Sequence, residues 1–181
     1  MRFRRQSYLL LALSCALPGV VLAALSASEA KVSFTCSGPG GIHLEGTGSE
    51  LEVEEKGDAV VLRVPLQKVT TGIGLRDTHM HEKYLETQKY PDAELSVPRA
   101  ALKFPEDGAS LEATAQGTMT IHGTSKPVTF HYKASRKGKS YEVKGDVDIN
   151  MNDYGIGVPS YLGVTVKPLV AITAAFRLLD T

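Results

Sequence analysis

The sequence predicts an all-β domain built as an antiparallel barrel, with one short helix inserted among its strands. Three observations carry that prediction. Apolar and polar residues alternate with a period of two from Val32 to Leu178, short runs of this kind recur at regular spacing with glycine-containing turns between them, and the stretch Asp77 to Gln88 breaks the alternation with helical spacing. A strand that alternates in this way has one dry and one wet face, so strands in such number must share an interior, as a sandwich or, the preferred reading, a barrel.

The runs begin with Val32, Phe34 and Cys36, followed by Ile42, Leu44 and Gly46 against His43, Glu45 and Thr47, and then by Leu51 and Val53. After the turn Lys56-Gly57-Asp58, the residues Val60, Leu62, Val64 and Leu66 share a face. Leu95 and Val97 form a short piece. Leu111, Ala113 and Ala115 lead into Gly117, Met119 and Ile121; Val128, Phe130, Tyr132 and Ala134 follow. The turn Arg136 to Lys139 introduces Tyr141, Val143, Gly145, Val147 and Ile149, and the chain closes with Val164 and Val166, then Val170, Ile172, Ala174, Phe176 and Leu178. In the helical stretch, Asp77 or Thr78 is the expected cap, Met80, Tyr84 and Leu85 form the apolar face, and Tyr90-Pro91 ends it. Small residues on the expected inner face, Gly46, Ala113, Ala115, Gly117, Gly145 and Ala174, favour a cavity over a filled interior.

Residues 1–23 carry Arg2, Arg4 and Arg5, an apolar run from Tyr8 to Leu17, and the small-residue exit Val21-Leu22-Ala23-Ala24. This is the layout of a secretory signal peptide cleaved near Ala23, and the apolar run is short for a membrane span. The expected product is a periplasmic or secreted domain over residues 24–181 with no stable span. Cys15 is preceded by Ala12-Leu13-Ser14, without a leucine three positions before it, and reads as a small residue within the leader rather than a lipid attachment site.

Removing residues 1–23 takes three of the 20 basic residues and none of the 20 acidic ones, leaving a formal charge of −3. No basic face is evident, so nucleic acid is not an expected partner. With Cys15 removed, Cys36 is the remaining cysteine of the two, an intramolecular disulfide is excluded, and a buried inert thiol is expected.

No arrangement of residues argues for an enzyme or a cofactor. His79 and His81 lie two apart with carboxylates nearby, but on a helix such residues diverge by about 200°, so a metal site is not expected. No Gly-x-Ser-x-Gly elbow accompanies the Ser, His and Asp residues. The glycines at 38–41 and at 155–157 lack the helix and lysine of a phosphate cradle and read as turns. His43, His122 and His131 read as solvated outer residues. Arg76 beside Asp77 is expected to tie loop backbone groups together, or alternatively to meet a polar lipid head at the barrel mouth.

The stretch Thr70-Thr71-Gly72-Ile73-Gly74-Leu75-Arg76-Asp77-Thr78-His79-Met80, with Tyr84-Leu85-Glu86 and Lys89-Tyr90-Pro91-Asp92-Ala93 after it, resembles the central signature of YceI-like proteins. Gly117 to Val128 resembles that family's G-x-L-T-I-H-G-x-T-K-x-V hairpin, and Asn152-Asp153-Tyr154-Gly155-Ile156 its R-x-D-F-G-I corner. The chain departs at the family's opening Asp and His-Ser, missing around Ser26 to Val32, and at the corner arginine, replaced near Met151-Asn152.

The resemblance implies a lipocalin-like antiparallel barrel enclosing a channel for a polyisoprenoid, a quinone or another amphiphilic lipid. Carried onto this sequence, it places Phe34, Leu44, Leu62, Met119, Ile121, Phe130, Tyr132, Val143, Ile149, Ile172 and Phe176 on the channel wall, with Tyr84, Leu85 and Tyr154 closing an end. The resulting expectation is an exported lipid-binding protein, not an enzyme, without cofactor. The alternative is a side-chain-filled barrel serving as a structural or stress-related interaction module; a homodimer is left open.

Overall fold

The computed structural model describes residues 25–161 and 163–180; the expected leader, its cleavage point and Cys15 lie outside them. The strands are β1 (Leu25–Ser37), β2 (His43–Gly48), β3 (Glu52–Lys56), β4 (Ala59–Pro65), β5 (Asp92–Pro98), β6 (Ser110–Ile121), β7 (Thr124–Lys137), β8 (Ser140–Asn150), β9 (Ser160–Tyr161), β10 (Val164–Thr165) and β11 (Leu169–Asp180). Nine of them form one antiparallel sheet in the order β2-β1-β11-β8-β7-β6-β5-β4-β3, and β9 and β10 make a separate small hairpin. The alternation read from the sequence recurs as burial: in β7, Phe130, Tyr132 and Ala134 are buried while Thr129, His131 and Lys133 are exposed.

The sheet curls back on itself. β3 comes to lie alongside β1, and Thr47 at the end of β2 pairs with Thr70 beyond β4 through two backbone hydrogen bonds of 2.8 and 2.9 Å. This isolated bridge is the seam of the barrel. Turn chemistry sets the hairpins. At β6–β7 both turn residues have positive φ, His122 at 52° and Gly123 at 71°, the geometry whose twist matches that of the strands it joins. Gly123 is required there twice over, since a Cβ would also sit 2.5 Å from Cε1 of Tyr90.

The insertion between β4 and β5 differs from its expected form. The helix α1 starts at Gly74, three residues before the expected cap, and covers Gly74–His79; a wider π turn, Met80–Tyr84, continues it. Neither Asp77 nor Thr78 is its cap: the capping position is Ile73, with no side-chain bond. The Asp77 side chain instead accepts hydrogen bonds from Thr70 Oγ1 (2.6 Å), from the Thr71 amide (2.6 Å) and from Thr71 Oγ1, which holds the incoming loop against the helix. The helical stretch ends before Gln88 because Glu86 takes φ 45° and the Thr87 amide turns back to the His81 carbonyl at 2.8 Å.

Candidate functional site

Strands with apolar inner faces enclose a space, and in this barrel the space stays open. A cavity of about 890 Å³ runs through the interior, within the range of sites that hold small molecules, about 300–1,000 Å³. A barrel filled by its own side chains therefore does not describe the interior. Two groups of buried side chains surround the space, one around Met119, Phe130, Ile149 and Val170, the other around Val53, Val60, Tyr141, Phe176 and Leu178.

Of the residues expected on the wall, Phe34, Leu44, Leu62, Met119, Ile121, Phe130, Tyr132, Val143, Ile149, Ile172 and Phe176 all face this cavity, as do Tyr84 and Leu85 at its helical end. Tyr154 does not. It is packed behind the wall at 2 % exposure, its hydroxyl has no hydrogen-bond partner among the described residues, and burial, with Asp153 nearby, pushes its pKa up. The small residues divide. Gly145 and Ala174 face the cavity, opposite one another on β8 and β11, whereas Gly46 lies under the Phe34 ring and Gly117 under Leu95 and Val97. A strand glycine of the second kind makes room for a neighbour rather than for a ligand.

The helical end is bolted in place by polar contacts. His81 Nε2 donates to the Val69 carbonyl at 2.9 Å, Gln67 bonds the Thr87 hydroxyl, and Arg76 donates through one terminal nitrogen to the Thr71 carbonyl at 2.7 Å. His81 is thus committed to backbone while His79, on another face, lines the cavity. The burial of Asp77 opposes its charge, but the bonds from Thr70 and Thr71, with His81 nearby, prevail and hold its carboxyl below the usual aspartate range. His122 departs from its expected solvated role. It bridges the Tyr154 carbonyl (3.2 Å) and the Glu86 carboxylate (2.6 Å) and packs edge-on against Tyr90, so it ties the β6–β7 turn to the helical end; His43 and His131 stay on the exposed face.

Sequence reasoning missed the mouth. Ile42, Ile73, Leu75 and Val164 line the cavity at this end and are also exposed, Leu75 at 69 %. They come from the loop before β2, the start of α1, and the β9–β10 hairpin, which no periodicity brings together. These exposed apolar side chains form a rim at the helical end of the cavity. At the opposite end, Leu102, Lys103 and Phe104 cover the cavity, and the Tyr132 hydroxyl holds that loop through the Lys103 amide (2.7 Å) and carbonyl (3.1 Å).

Polar groups are few along the wall. Cys36 is a free, buried thiol whose pKa is raised by burial, against the lowering effect of Arg76. Arg76 itself faces the cavity, and its Nε is buried without a partner among the described residues. A buried donor left unmade costs about 1–3 kcal/mol, more when charged. No group of three or more His, Cys, Asp or Glu side chains fit to hold a metal occurs among the described residues.

Comparison with known proteins is consistent with this architecture. Residues 24–178 match the YceI-like domain. A UPF0312 protein of Pseudomonas putida is 32 % identical over 100 residues, which cover 50 % of this chain and 48 % of that protein. The chain thus spans about half the length of the curated relatives it matches. A polyisoprenoid binding domain from Saccharophagus degradans, implicated in plant cell wall breakdown, superposes with a TM-score of 0.74 at 18 % identity, covering 88 % of this chain and 100 % of that one. BcnA of Burkholderia cenocepacia follows with a TM-score of 0.64 at 16 % identity, over 82 % and 95 % of the two chains. At these identities the likeness is one of fold.

Proposed function

The chain belongs to the YceI-like domain family, and on that premise we propose that its barrel is a carrier for a long apolar lipid of the isoprenoid class, polyprenyl or quinone. The cavity of about 890 Å³ with its almost wholly apolar wall is the observation that carries the reading. Burying one methylene contributes about 0.8 kcal/mol, so a tail along the wall binds tightly without charged contacts. The polyisoprenoid binding domain with the same fold supports the choice of lipid class. The leader-like features of residues 1–23 support an exported, periplasmic or secreted protein.

The mechanism is reversible sequestration. A tail enters past Ile42, Ile73, Leu75 and Val164, slides between Phe34, Leu44, Ile121 and Ile149, and ends near Phe176 and Tyr141, while its surroundings exclude water. No bond is made or broken, and the protein acts as a binding protein rather than an enzyme.

Native mass spectrometry of the mature protein from its own cell envelope, with extraction of any adduct, tests the reading. A stoichiometric isoprenoid adduct is expected. Protein that is isolated without adduct and takes up no prenyl alcohol from detergent solution refutes the proposal. Replacing the buried Ile121 or Phe130 by aspartate is expected to abolish uptake while the fold persists.

A further inference from the structure

Seven large apolar side chains are exposed among the described residues, and four of them, Ile42, Ile73, Leu75 and Val164, stand together at the helical end and also line the cavity. At the other end Phe104 is stacked under the Arg99 guanidinium, 3.8 Å from its ring centroid. Resting on the lipid reading above, we propose that the rim docks the barrel on the surface of a bilayer containing anionic lipids, so that a tail passes between membrane and lumen without crossing water.

The exposure is built into the fold. Leu75 is 69 % and Ile73 54 % exposed, at a helix start held by the bonds from Thr70 and Thr71 to Asp77 and by the bond from Arg76 to the Thr71 carbonyl. Ile42 sits in a loop closed by the Gly38 amide on the Ile42 carbonyl at 2.7 Å, and Val164 in the β9–β10 hairpin. A contiguous apolar patch of this kind marks an interaction site for a protein or a membrane.

Two observations choose the membrane. The four side chains belong to rim and wall at once, so a protein seated on them would stopper the lumen, whereas a bilayer covers them and supplies its contents. Each methylene that passes through water instead disfavours transfer about fourfold, and docking removes that barrier. Charge agrees with this choice. Lys83, Lys89, Lys126 and Lys167 are exposed at this end and make no salt bridge among the described residues. Of the nearby acids, Asp77 turns in to Thr70 and Thr71, Glu86 to His122 and Asp92 to Arg63, which leaves Glu82 and Asp153. A free lysine near an anionic membrane strengthens binding about fivefold.

The chain contains no tryptophan, so a single one introduced by substitution reports its own surroundings. Leu75→Trp places it on the rim, and Phe104→Trp places it at the opposite end of the same cavity. Each is mixed at low ionic strength with vesicles of phosphatidylcholine and phosphatidylglycerol, with and without bromine on the acyl chains. Leu75→Trp is expected to shift to the blue and to be quenched by the brominated lipid, and Phe104→Trp to stay unquenched. In co-sedimentation with the same vesicles, Ile73→Ser/Leu75→Ser and Lys83→Glu/Lys167→Glu are each expected to bind about tenfold or more weakly than the unaltered protein.

Emission from Leu75→Trp that the vesicles leave unchanged, or sedimentation of Ile73→Ser/Leu75→Ser equal to that of the unaltered protein, overturns the docking. The lipid reading then stands if the unaltered protein takes up geranylgeraniol from detergent solution. Equal quenching of both tryptophans reports vesicle lipid drawn into the lumen without a docked rim and also overturns the inference. A dimer that Leu75→Ser dissociates, in protein that ignores vesicles, assigns the rim to a second copy of the chain and overturns it likewise. Should Leu75→Trp fail to fold, Lys83→Glu/Lys167→Glu decides, because neither lysine side chain makes a hydrogen bond in the fold: weaker sedimentation supports the docking and unchanged sedimentation overturns it. Absence of geranylgeraniol uptake by the unaltered protein overturns the lipid reading and this inference with it.

Discussion

Substituting Ala174 by leucine puts the hollow interior to a quantitative test. Ala174 pairs with Val32 on β1 and with Gly145 on β8, and Gly145 pairs in turn with Tyr132 on β7, so one row of residues crosses four adjacent strands at a single height. Its two middle members are the small ones, and both line the cavity. The row sits midway along β11, between Val170 near the helical end and Leu178 near the other. Leucine adds three carbons there, displacing about three methylenes of a tail at about 0.8 kcal/mol each, or ~2.4 kcal/mol and roughly fiftyfold in Kd. The loss is expected only for tails long enough to pass this row, so affinities measured for a ladder of prenyl alcohols should diverge from those of the unaltered protein beyond a threshold length. Stability supplies a second arm. In a filled core the same substitution would cost about 1–3 kcal/mol by overpacking, whereas in an open lumen the Tm is maintained or rises. A folded variant that binds every tail as before, or that is destabilised as a packed core would be, refutes the reasoning.

Tyr154→Phe removes a buried hydroxyl that has no partner among the described residues, and the unfolding free energy measured in urea is expected to rise by up to about 1–3 kcal/mol; a fall would contradict the assignment. Gly123→Ala forces a side chain into positive φ and against Tyr90, with an expected loss of about 1–3 kcal/mol, and an unchanged midpoint would refute the turn geometry. Asp77→Asn is expected to cost about 1.5–3 kcal/mol at neutral pH, the worth of charged hydrogen bonds to Thr70 and Thr71. Because the Asp77 pKa is lowered in the fold, its contribution is fully present above the ordinary aspartate value and is lost as pH falls through the folded one. The gap in stability between variant and parent should therefore close below about pH 4, and a gap constant with pH would contradict the assignment.

How much of this was legible depended on whether a feature repeats. The walls were legible, because period-two alternation records which face of a strand is dry: Phe130 and Tyr132, or Ile172 and Phe176, point inward as their spacing requires. Composition could not distinguish two kinds of small inward residue. Gly145 leaves room in the lumen, Gly46 leaves room for Phe34, and only the position of the neighbouring strand separates them. The helix was shifted because Asp77 is a good cap by type, yet the loop threonines before it compete for the same oxygens. His122 looked solvated because alternation carries no information about a turn, where φ of 52° sends the side chain back against Tyr90 and Glu86. The mouth was illegible for a related reason: Ile42, Leu75 and Val164 belong to segments that meet only once the sheet has closed.

That closure is incomplete in a way that bears on what the barrel can hold. A tube whose strands are all laddered has its girth fixed by an interstrand spacing of about 4.8 Å. Here the free edge of β2 is joined to the segment beyond β4 by one isolated pairing among the described residues, Thr47 with Thr70. The exposed Glu52, Glu54 and Lys56 on β3 discourage a foreign strand from docking along that edge. The wall is in effect a cuff with one clasp, and parting that clasp would cost two hydrogen bonds while leaving the remaining ladders intact. Its depth, by contrast, is set by the length of the strands, so a carrier of the proposed kind would sort its guests by reach rather than by calibre.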